Sequence, residues 1–354
     1  MYRLKKIMDM NRNISILSKT EGVSIERLHV VTWDIKSKNY YTEYGLEINN
    51  RGSVKPDELV LKLSLPCLPS NSEDIVSLDK NLSDLENCRF IFNSDVKQVI
   101  PIGPGGVSGN KVAFRGGREI TILSSRSMEI SKAKDILEIK ISNLESIQGE
   151  IVYLRFLVKS TQASFQTKKN ELSRRMINYD VRVNESRTAS EGVKQLQKDG
   201  FSFISVRSCF CLHIIPVEYS MGVIDSPKLK EIRELESNAF EKYLGEIADE
   251  EGLELKPSSY NIVFYKQGDR ENYSFFSVFY EETLTNTQLG IAIAVNIISA
   301  SLFASYEFRT TVNPGLVWAQ TPWEYWVASF IVMCAVAWLA WNILKSIWLR
   351  FVNR

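Results

Sequence analysis

LHVVTWDI at residues 28–35 is the first of seven short segments in which apolar and polar side chains mostly alternate. The other six are EYGLEI (43–48), ELVLKLSL (58–65), RFIFN (89–93), REITILS (118–124), ILEIKIS (136–142) and EIVYLRFLV (150–158). Segments of this length, separated by Asn, Gly, Pro and Ser, are typical of antiparallel strands. The pattern predicts a mainly β fold, with an immunoglobulin-like antiparallel β-sandwich over residues 28–160.

The run from Tyr44 to Pro66, YGLEINNRGSVKPDELVLKLSLP, contains a strand, an Asn-Asn turn and a second strand that ends in Leu-Pro. Further along, ILEIKIS, a turn at Gly149 and EIVYLRFLV form a second such unit. In these features residues 28–160 resemble bacterial immunoglobulin-like repeat modules, with the second unit as their closing hairpin. The resemblance implies a sandwich that binds proteins or ligands, and it implies no catalytic residues. Modules of this kind are usually extracellular.

The flanking segments differ in character. Residues 1–27 form a basic N-terminal segment, and residues 161–200 are predicted to be a connector with short helices, one of them after Ser190. Residues 201–283 are predicted to form a small α+β domain. It would contain an apolar strand region at 201–219, an amphipathic helix from Pro227 to about Glu250, and a hairpin of NIVFYK and YSFFSVFY.

The C-terminal part, residues 284–354, contains two long segments without charge. These are residues 289–306 and 326–344. As a helix, a segment of about 18 residues is roughly 27 Å long, which is close to the thickness of the hydrocarbon core of a bilayer. The pattern predicts a two-helix transmembrane hairpin. The alternative is a pair of buried helices in a large soluble core.

Aromatic and basic residues set the predicted orientation of this hairpin. The loop between the two spans has only Arg309, whereas basic residues follow the second span, which places both chain termini in the cytoplasm. We therefore expect a multi-pass protein of the cell (inner) membrane, with the lipid bilayer as a partner. The predicted interfacial anchors are Trp318, Trp323, Trp326, Trp341, Trp348, Lys345 and Arg350.

Small and amide side chains of the two spans suggest a contact face between helices. The predicted membrane or oligomer face consists of Gly290, Ala294, Asn296, Ser301, Ser305 and Asn342. Two interpretations remain open. The amides form hydrogen bonds inside one hairpin, or they meet between protomers of a homo-oligomer, where they could line a pore.

Charge and motif content exclude several classes of function. Forty-three Lys and Arg balance 42 Asp and Glu, so no global positive field favours nucleic acid. The two His, His29 and His213, lie in predicted strands, and the five Cys have no zinc-site spacing. We expect no metal, cofactor or catalytic set. One basic group forms either a solvated face or a contact for anionic lipid or another anion: Lys168, Lys169, Arg174 and Arg175.

Two functions of different classes are compatible with these observations. The first is a membrane-anchored, non-enzymatic sensor, effector or scaffold whose cytoplasmic β-rich body binds a protein partner or a small ligand. Its architecture resembles that of two-span bacterial defence effectors, in which the hairpin oligomerises. The alternative is a membrane-attached enzyme with a dispersed active site. A cleft with convergent polar groups and shifted pKa values would favour the enzyme.

Overall fold

The computed structural model describes residues 12–35, 37–49, 58–103, 107–144, 150–170, 174–235, 242–245 and 260–282, together with 249 and scattered positions between 290 and 341. The chain divides into two compact units. The first contains Met1–Glu171 and Arg175–Glu281, and the second contains Leu172–Arg174 and Glu282–Arg354.

Strands dominate the described part of the chain. They are β1 (Asn13–Ser18), β2 (Ser24–Trp33), β3 (Tyr40–Asn49), β4 (Glu58–Ser64), β5 (Ile75–Ser77), β6 (Val96–Ile102), β7 (Gly109–Phe114), β8 (Glu119–Leu123), β9 (Met128–Ala133), β10 (Ile136–Ser142), β11 (Ile151–Ser160), β12 (Gln166–Asn170), β13 (Arg174–Val183), β14 (Ser202–Phe203), β15 (Ser205–Val206), β16 (Ser208–Pro216), β17 (Tyr219–Ile224), β18 (Leu229–Glu234), β19 (Tyr260–Gly268) and β20 (Tyr273–Glu282). The prediction of a mainly β fold is confirmed.

The described strands form two large sheets. The smaller sheet has the order β17-β20-β13-β1-β4-β10-β9, with β12 beside β13 and β14 beside β1. The larger sheet has the order β18-β19-β16-β2-β3-β11-β8-β7-β6, with β15 beside β2 and β5 beside β11. Most neighbours are antiparallel, but β2 pairs with β16 in parallel, and β11 pairs with β8 in parallel.

One continuous apolar core joins the two sheets. It includes Ile16 and Leu61 from the smaller sheet and Leu28, Leu46 and Leu154 from the larger one, all of them fully buried. Because side chains alternate along a strand, the opposite set of side chains on β2 points away from this core. A second apolar cluster, which includes Val31 and Trp33, covers that outer face. The central strands of the larger sheet are therefore buried on both faces.

The strand pairing differs from the immunoglobulin-like arrangement. β3 and β4, which the resemblance places in one strand-turn-strand unit, lie in different sheets, and so do β10 and β11. Strands from residues 174–282 also enter both sheets, because β13 pairs with β1 and β16 pairs with β2. The sandwich is thus assembled from strands that are distant in sequence.

The described α-helices are short. Helix α1 (Leu85–Phe92) occupies the segment RFIFN, for which the sequence predicts a strand. The Asp84 carboxylate accepts hydrogen bonds from the backbone N–H groups of Glu86 and Asn87, which caps the helix. Helix α2 (Glu191–Lys198) follows its predicted cap, Ser190. Short 3-10 turns span Ser72–Asp74, Asn81–Ser83 and Ser186–Thr188.

The amphipathic helix predicted from Pro227 to Glu250 begins instead as strand β18, and residues 242–245 are helical. Strand β18 pairs with β19, which satisfies its backbone groups from Leu229 to Glu234. The predicted apolar stripe is not buried as a unit, because Ile232 is 40% exposed whereas Leu235 is buried. Tertiary pairing has outweighed the helical pattern here.

In the described residues of the C-terminal part, no helix is both long enough and apolar enough to cross a bilayer. This finding overturns the predicted spans at 289–306 and 326–344 and the multi-pass inner-membrane localisation.

The residues that were predicted from this hairpin divide into two groups. Gly290, Ala294, Asn296 and Ser301 are described as helical, and the side chains of Trp326 and Trp341 are 54% and 69% exposed. The remaining predicted positions lie outside the described residues: Ser305, Trp318, Trp323, Asn342, Lys345, Trp348 and Arg350.

Candidate functional site

A cleft that is open to solvent lies on the outer face of the larger sheet; its empty space of about 760 Å³ includes the solvent at its mouth. Two cross-strand rows of apolar side chains from β2, β16 and β19 form its floor. The register of these strands places Val31, Leu212 and Phe264 in one row and Trp33, Ile214 and Ile262 in the other. The floor is therefore a rigid part of the sheet.

The C-terminal end of α1 forms one wall of the cleft, from Phe90 to Asn93. Helix α1 is held in this position by its buried face. The ring of Phe92 makes an edge contact with the ring of Tyr153, with 5.0 Å between their centroids. The ring centroids of Phe90 and Tyr243 are 5.9 Å apart. Asn93 adopts a left-handed conformation with φ 45°, which ends the helix at the rim of the cleft.

A buried ion pair lies beside the cleft on the same face of the sheet. The Arg155 Nε donates to Glu43 Oε2 at 2.7 Å, and both side chains are almost fully buried. Glu43 also accepts from Trp33 Nε1 at 2.8 Å and from the Tyr243 hydroxyl at 3.0 Å. Burial alone would lower the pKa of Arg155, but the Glu43 carboxylate and the hydroxyls of Tyr153 and Tyr243 raise it well above its ordinary value.

The Tyr153 hydroxyl links Arg155 to His29. Tyr153 is fully buried; its hydroxyl accepts from Arg155 Nη1 at 3.0 Å and lies 3.1 Å from His29 Nδ1. The Nδ1 of His29 is therefore engaged inside the fold.

Burial, reinforced by the positive charges of Arg155, Arg27 and Arg118, lowers the pKa of His29 well below 6.5. His29 lines the cleft and is therefore a neutral N–H donor at physiological pH.

Positive charge is concentrated at the Phe210 end of the cleft. The guanidinium of Arg27 lies 5.7 Å from the centre of the Phe210 ring, and the ammonium of Lys266 lies 5.3 Å from it. Glu47 contacts both Arg27, at 3.7 Å, and Arg118. Burial and the nearby Arg118 lower the pKa of Arg27, against the opposing effect of Glu47 and Glu26. One buried carboxylate thus faces two guanidinium groups.

The predicted basic group Lys168, Lys169, Arg174 and Arg175 lies on the hairpin of β12 and β13, in the smaller sheet. Lys168 Nζ lies 3.6 Å from Asp34 Oδ2, and Arg175 donates to Glu281 at 2.8 Å. Their charges are therefore partly compensated by carboxylates. The structure does not bring this group into the cleft.

His213 and two of the cysteines lie in the core between the sheets. The His213 Nδ1 is 2.8 Å from Thr32 Oγ1, and burial lowers the pKa of His213 to about 3. Cys209 and Cys211 point into the same core and are fully buried. Burial raises the pKa of both thiols. These groups support packing and do not reach the cleft.

Sequence reasoning did not identify the cleft residues, apart from singling out His29 as a structural histidine. Arg155 carries a weak signal, since it is a charged residue within the apolar run of the predicted strand EIVYLRFLV, whereas Arg27 precedes the first predicted strand. Asp84 followed by Glu86 is a helix-start signal that could have identified α1.

Comparisons with known proteins give little further information. No family model matches the chain, and no curated protein matches it. Among solved structures, a crystal structure described as a "putative protease" from Parabacteroides distasonis is 8% identical, with a TM-score of 0.31, over 83% of this chain and 48% of that one. The acetylcholine-binding protein AChBP of Capitella teleta in complex with lobeline is 7% identical, with a TM-score of 0.11, over 76% of this chain and 84% of that one. The chain spans about half the length of the first structure, and likenesses this weak carry no argument.

Proposed function

We propose that the β-rich unit is a non-enzymatic binding module whose ligand is a small molecule held in the cleft on the larger sheet. The observation that supports this most strongly is the combination of an apolar floor built from paired strands with a wall fixed by buried contacts. Ligand sites are usually preformed concave surfaces, mostly apolar, with a few placed polar groups, and the lining of this cleft has that character.

Binding is favoured over catalysis by the chemistry of the lining. The described residues that line the cleft include no hydroxyl or thiol that could act as a nucleophile. One of the two ring nitrogens of His29 is already engaged by the buried Tyr153 hydroxyl. Glu231, the carboxylate of the lining, is exposed on strand β18.

The buried polar groups serve to hold the site in shape. Arg155 and Glu43 satisfy each other, and Trp33 and Tyr243 complete their hydrogen bonds. A cleft whose supporting groups are fixed before the ligand arrives loses little conformational entropy on binding. The ligand itself then contacts mainly the apolar floor and the polar rim.

The test is a substitution that fills the cleft. Leu212→Trp places a large ring on the floor, and Val223→Trp adds the same ring at a 54% exposed position on the smaller sheet. The probe is the neutral dye N-phenyl-1-naphthylamine, followed by fluorescence titration of the 354-residue chain. We expect one saturable site to weaken at least about tenfold in Leu212→Trp and to persist in Val223→Trp. Equal binding by both variants and the unsubstituted chain would refute the proposal.

A further inference from the structure

The rim of the cleft has an unbalanced charge at one end. Arg27 and Lys266 lie beside the Phe210 ring, and Arg27 shares the buried carboxylate of Glu47 with Arg118. Glu26 is itself paired with Arg207 at 3.2 Å, and Arg155 with Glu43. The lining adds one charge of each sign, Glu231 and Arg233. Among the described residues, the cations at this end therefore outnumber the carboxylates.

The same end also offers an uncharged donor. His29 is paired across β2 and β16 with Phe210, and their rings meet edge to face at 5.1 Å. The Nδ1 of the imidazole contacts the Tyr153 hydroxyl. A neutral imidazole beside two cations suits an anion, because hydrogen bonds from Arg and Lys to an anionic oxygen are charge-assisted.

The apolar part of the cleft is rich in flat rings. Phe210 and Phe264 lie nearly parallel, with an interplanar angle of 19° and a centroid distance of 5.8 Å. Phe90 and Phe92 face the cleft from the α1 wall. Aromatic rings stack well on planar surfaces and interact at their edges with other rings. The rings of the lining therefore favour a ligand with an aromatic body.

We infer that the ligand is a planar aromatic anion whose acidic group, a carboxylate, sulfonate or phosphate, lies between Arg27, Lys266 and His29 while its rings cover Phe264 and Leu212. This inference rests on the proposed binding function and specifies the chemistry of its ligand. An uncharged aromatic compound would satisfy the floor but would leave the cationic end without a partner.

A matched pair of dyes separates the two claims. 8-Anilinonaphthalene-1-sulfonate and N-phenyl-1-naphthylamine share one ring system and differ by the sulfonate. We expect the sulfonate dye to bind the cleft of the 354-residue chain about tenfold more tightly or better, with Leu212→Trp defining the cleft site for both. Higher ionic strength should weaken the sulfonate dye and leave the neutral dye unchanged.

Substitutions at the cationic end complete the test. Arg27→Gln and Lys266→Gln should each reduce sulfonate-dye affinity several-fold to tenfold and leave neutral-dye affinity unchanged. Glu47 keeps its contact with Arg118 in the first variant, so folding is preserved. The control is Arg115→Gln, which removes a 70% exposed cation on another part of the surface.

Each outcome is decisive. Equal affinity of the two dyes at the site, or a preference that survives both substitutions, would overturn the anion inference and leave the binding function intact. If neither dye responds to Leu212→Trp, the binding function fails as well.

Discussion

The buried pair of Glu43 and Arg155 gives the strongest prediction for stability. In Glu43→Gln, the guanidinium of Arg155 remains buried with only the tyrosine hydroxyls as partners. The carboxylate accepts from Arg155, Trp33 and Tyr243, whereas an amide has one acceptor oxygen, so donors are left unsatisfied as well. Breaking a buried ion pair in this way costs about 3–5 kcal/mol of unfolding free energy.

The assay is urea-induced unfolding of the whole chain, followed by far-UV circular dichroism. The control is Asp95→Asn, which breaks a surface pair with Arg115 at 3.1 Å and should cost less than about 1 kcal/mol. A double variant, Glu43→Gln with Arg155→Met, removes both charges. Its loss of unfolding free energy should be about 2–3 kcal/mol smaller than the summed losses of the two single variants, because no unpaired charge is left. A loss in Glu43→Gln no greater than in Asp95→Asn, or strict additivity, would refute the reasoning.

Two further predictions concern the same unit. The pKa of His213 falls from 6.5 to about 3 on folding, so between these values the unfolded chain binds a proton that the folded chain does not. The contribution of His213 to the free energy of unfolding is therefore fully present above pH 6.5 and falls by about 1.4 kcal/mol per pH unit below it. Urea titrations from pH 7 to 4.5 measure the slope of unfolding free energy against pH. This slope should be smaller in His213→Gln than in the unsubstituted chain by the contribution of one proton, and an unchanged slope would contradict the prediction. Gly45→Ala should destabilise the unit by about 1–3 kcal/mol and weaken dye binding, since a Cβ would lie 2.3 Å from the Tyr153 hydroxyl. Gly116→Ala, whose Cβ would meet nothing within 4 Å, is its control, and equal stability of the two variants would be evidence against a locked Tyr153.

Local sequence patterns predicted the strands well and their partners poorly. Segments such as ILEIKIS coincide with strand β10, residues Ile136–Ser142, because alternation is a property of the strand alone. The sheet that a strand joins depends on contacts far along the chain. Strand β2 pairs with β16 about 180 residues later, and no local signal specifies that choice.

The amphipathic pattern misled the prediction at strand β18. The apolar stripe from Leu229 fits both a helix and a strand over six residues, and pairing with β19 selects the strand. The uncharged segments after residue 289 have the length expected of a membrane span, but no described helix there is both long enough and apolar enough to cross a bilayer.

The cleft escaped prediction because the residues that hold it together are distant in sequence. Tyr243 and Glu43, which share a hydrogen bond, are 200 residues apart, and Glu43 and Arg155 are 112 apart. Strand β2 is covered on both faces, and this burial lowers the pKa of His29.

Some residues around the cleft hold it in shape, and others would contact the ligand. Variants of the two kinds should therefore test the binding proposal and the anion proposal separately. Phe92 rests on Tyr153, which is fixed by Arg155, so the wall and the buried pair share one anchor. Disturbing Glu43 should therefore lower stability and the affinity for both dyes together. Arg27 and Lys266 lie at the rim, outside this chain of contacts, so their loss should change the preference for an anion alone. Because the two classes of variant have different signatures, a loss of sulfonate-dye binding in Arg27→Gln with neutral-dye binding intact cannot arise from a collapsed cleft.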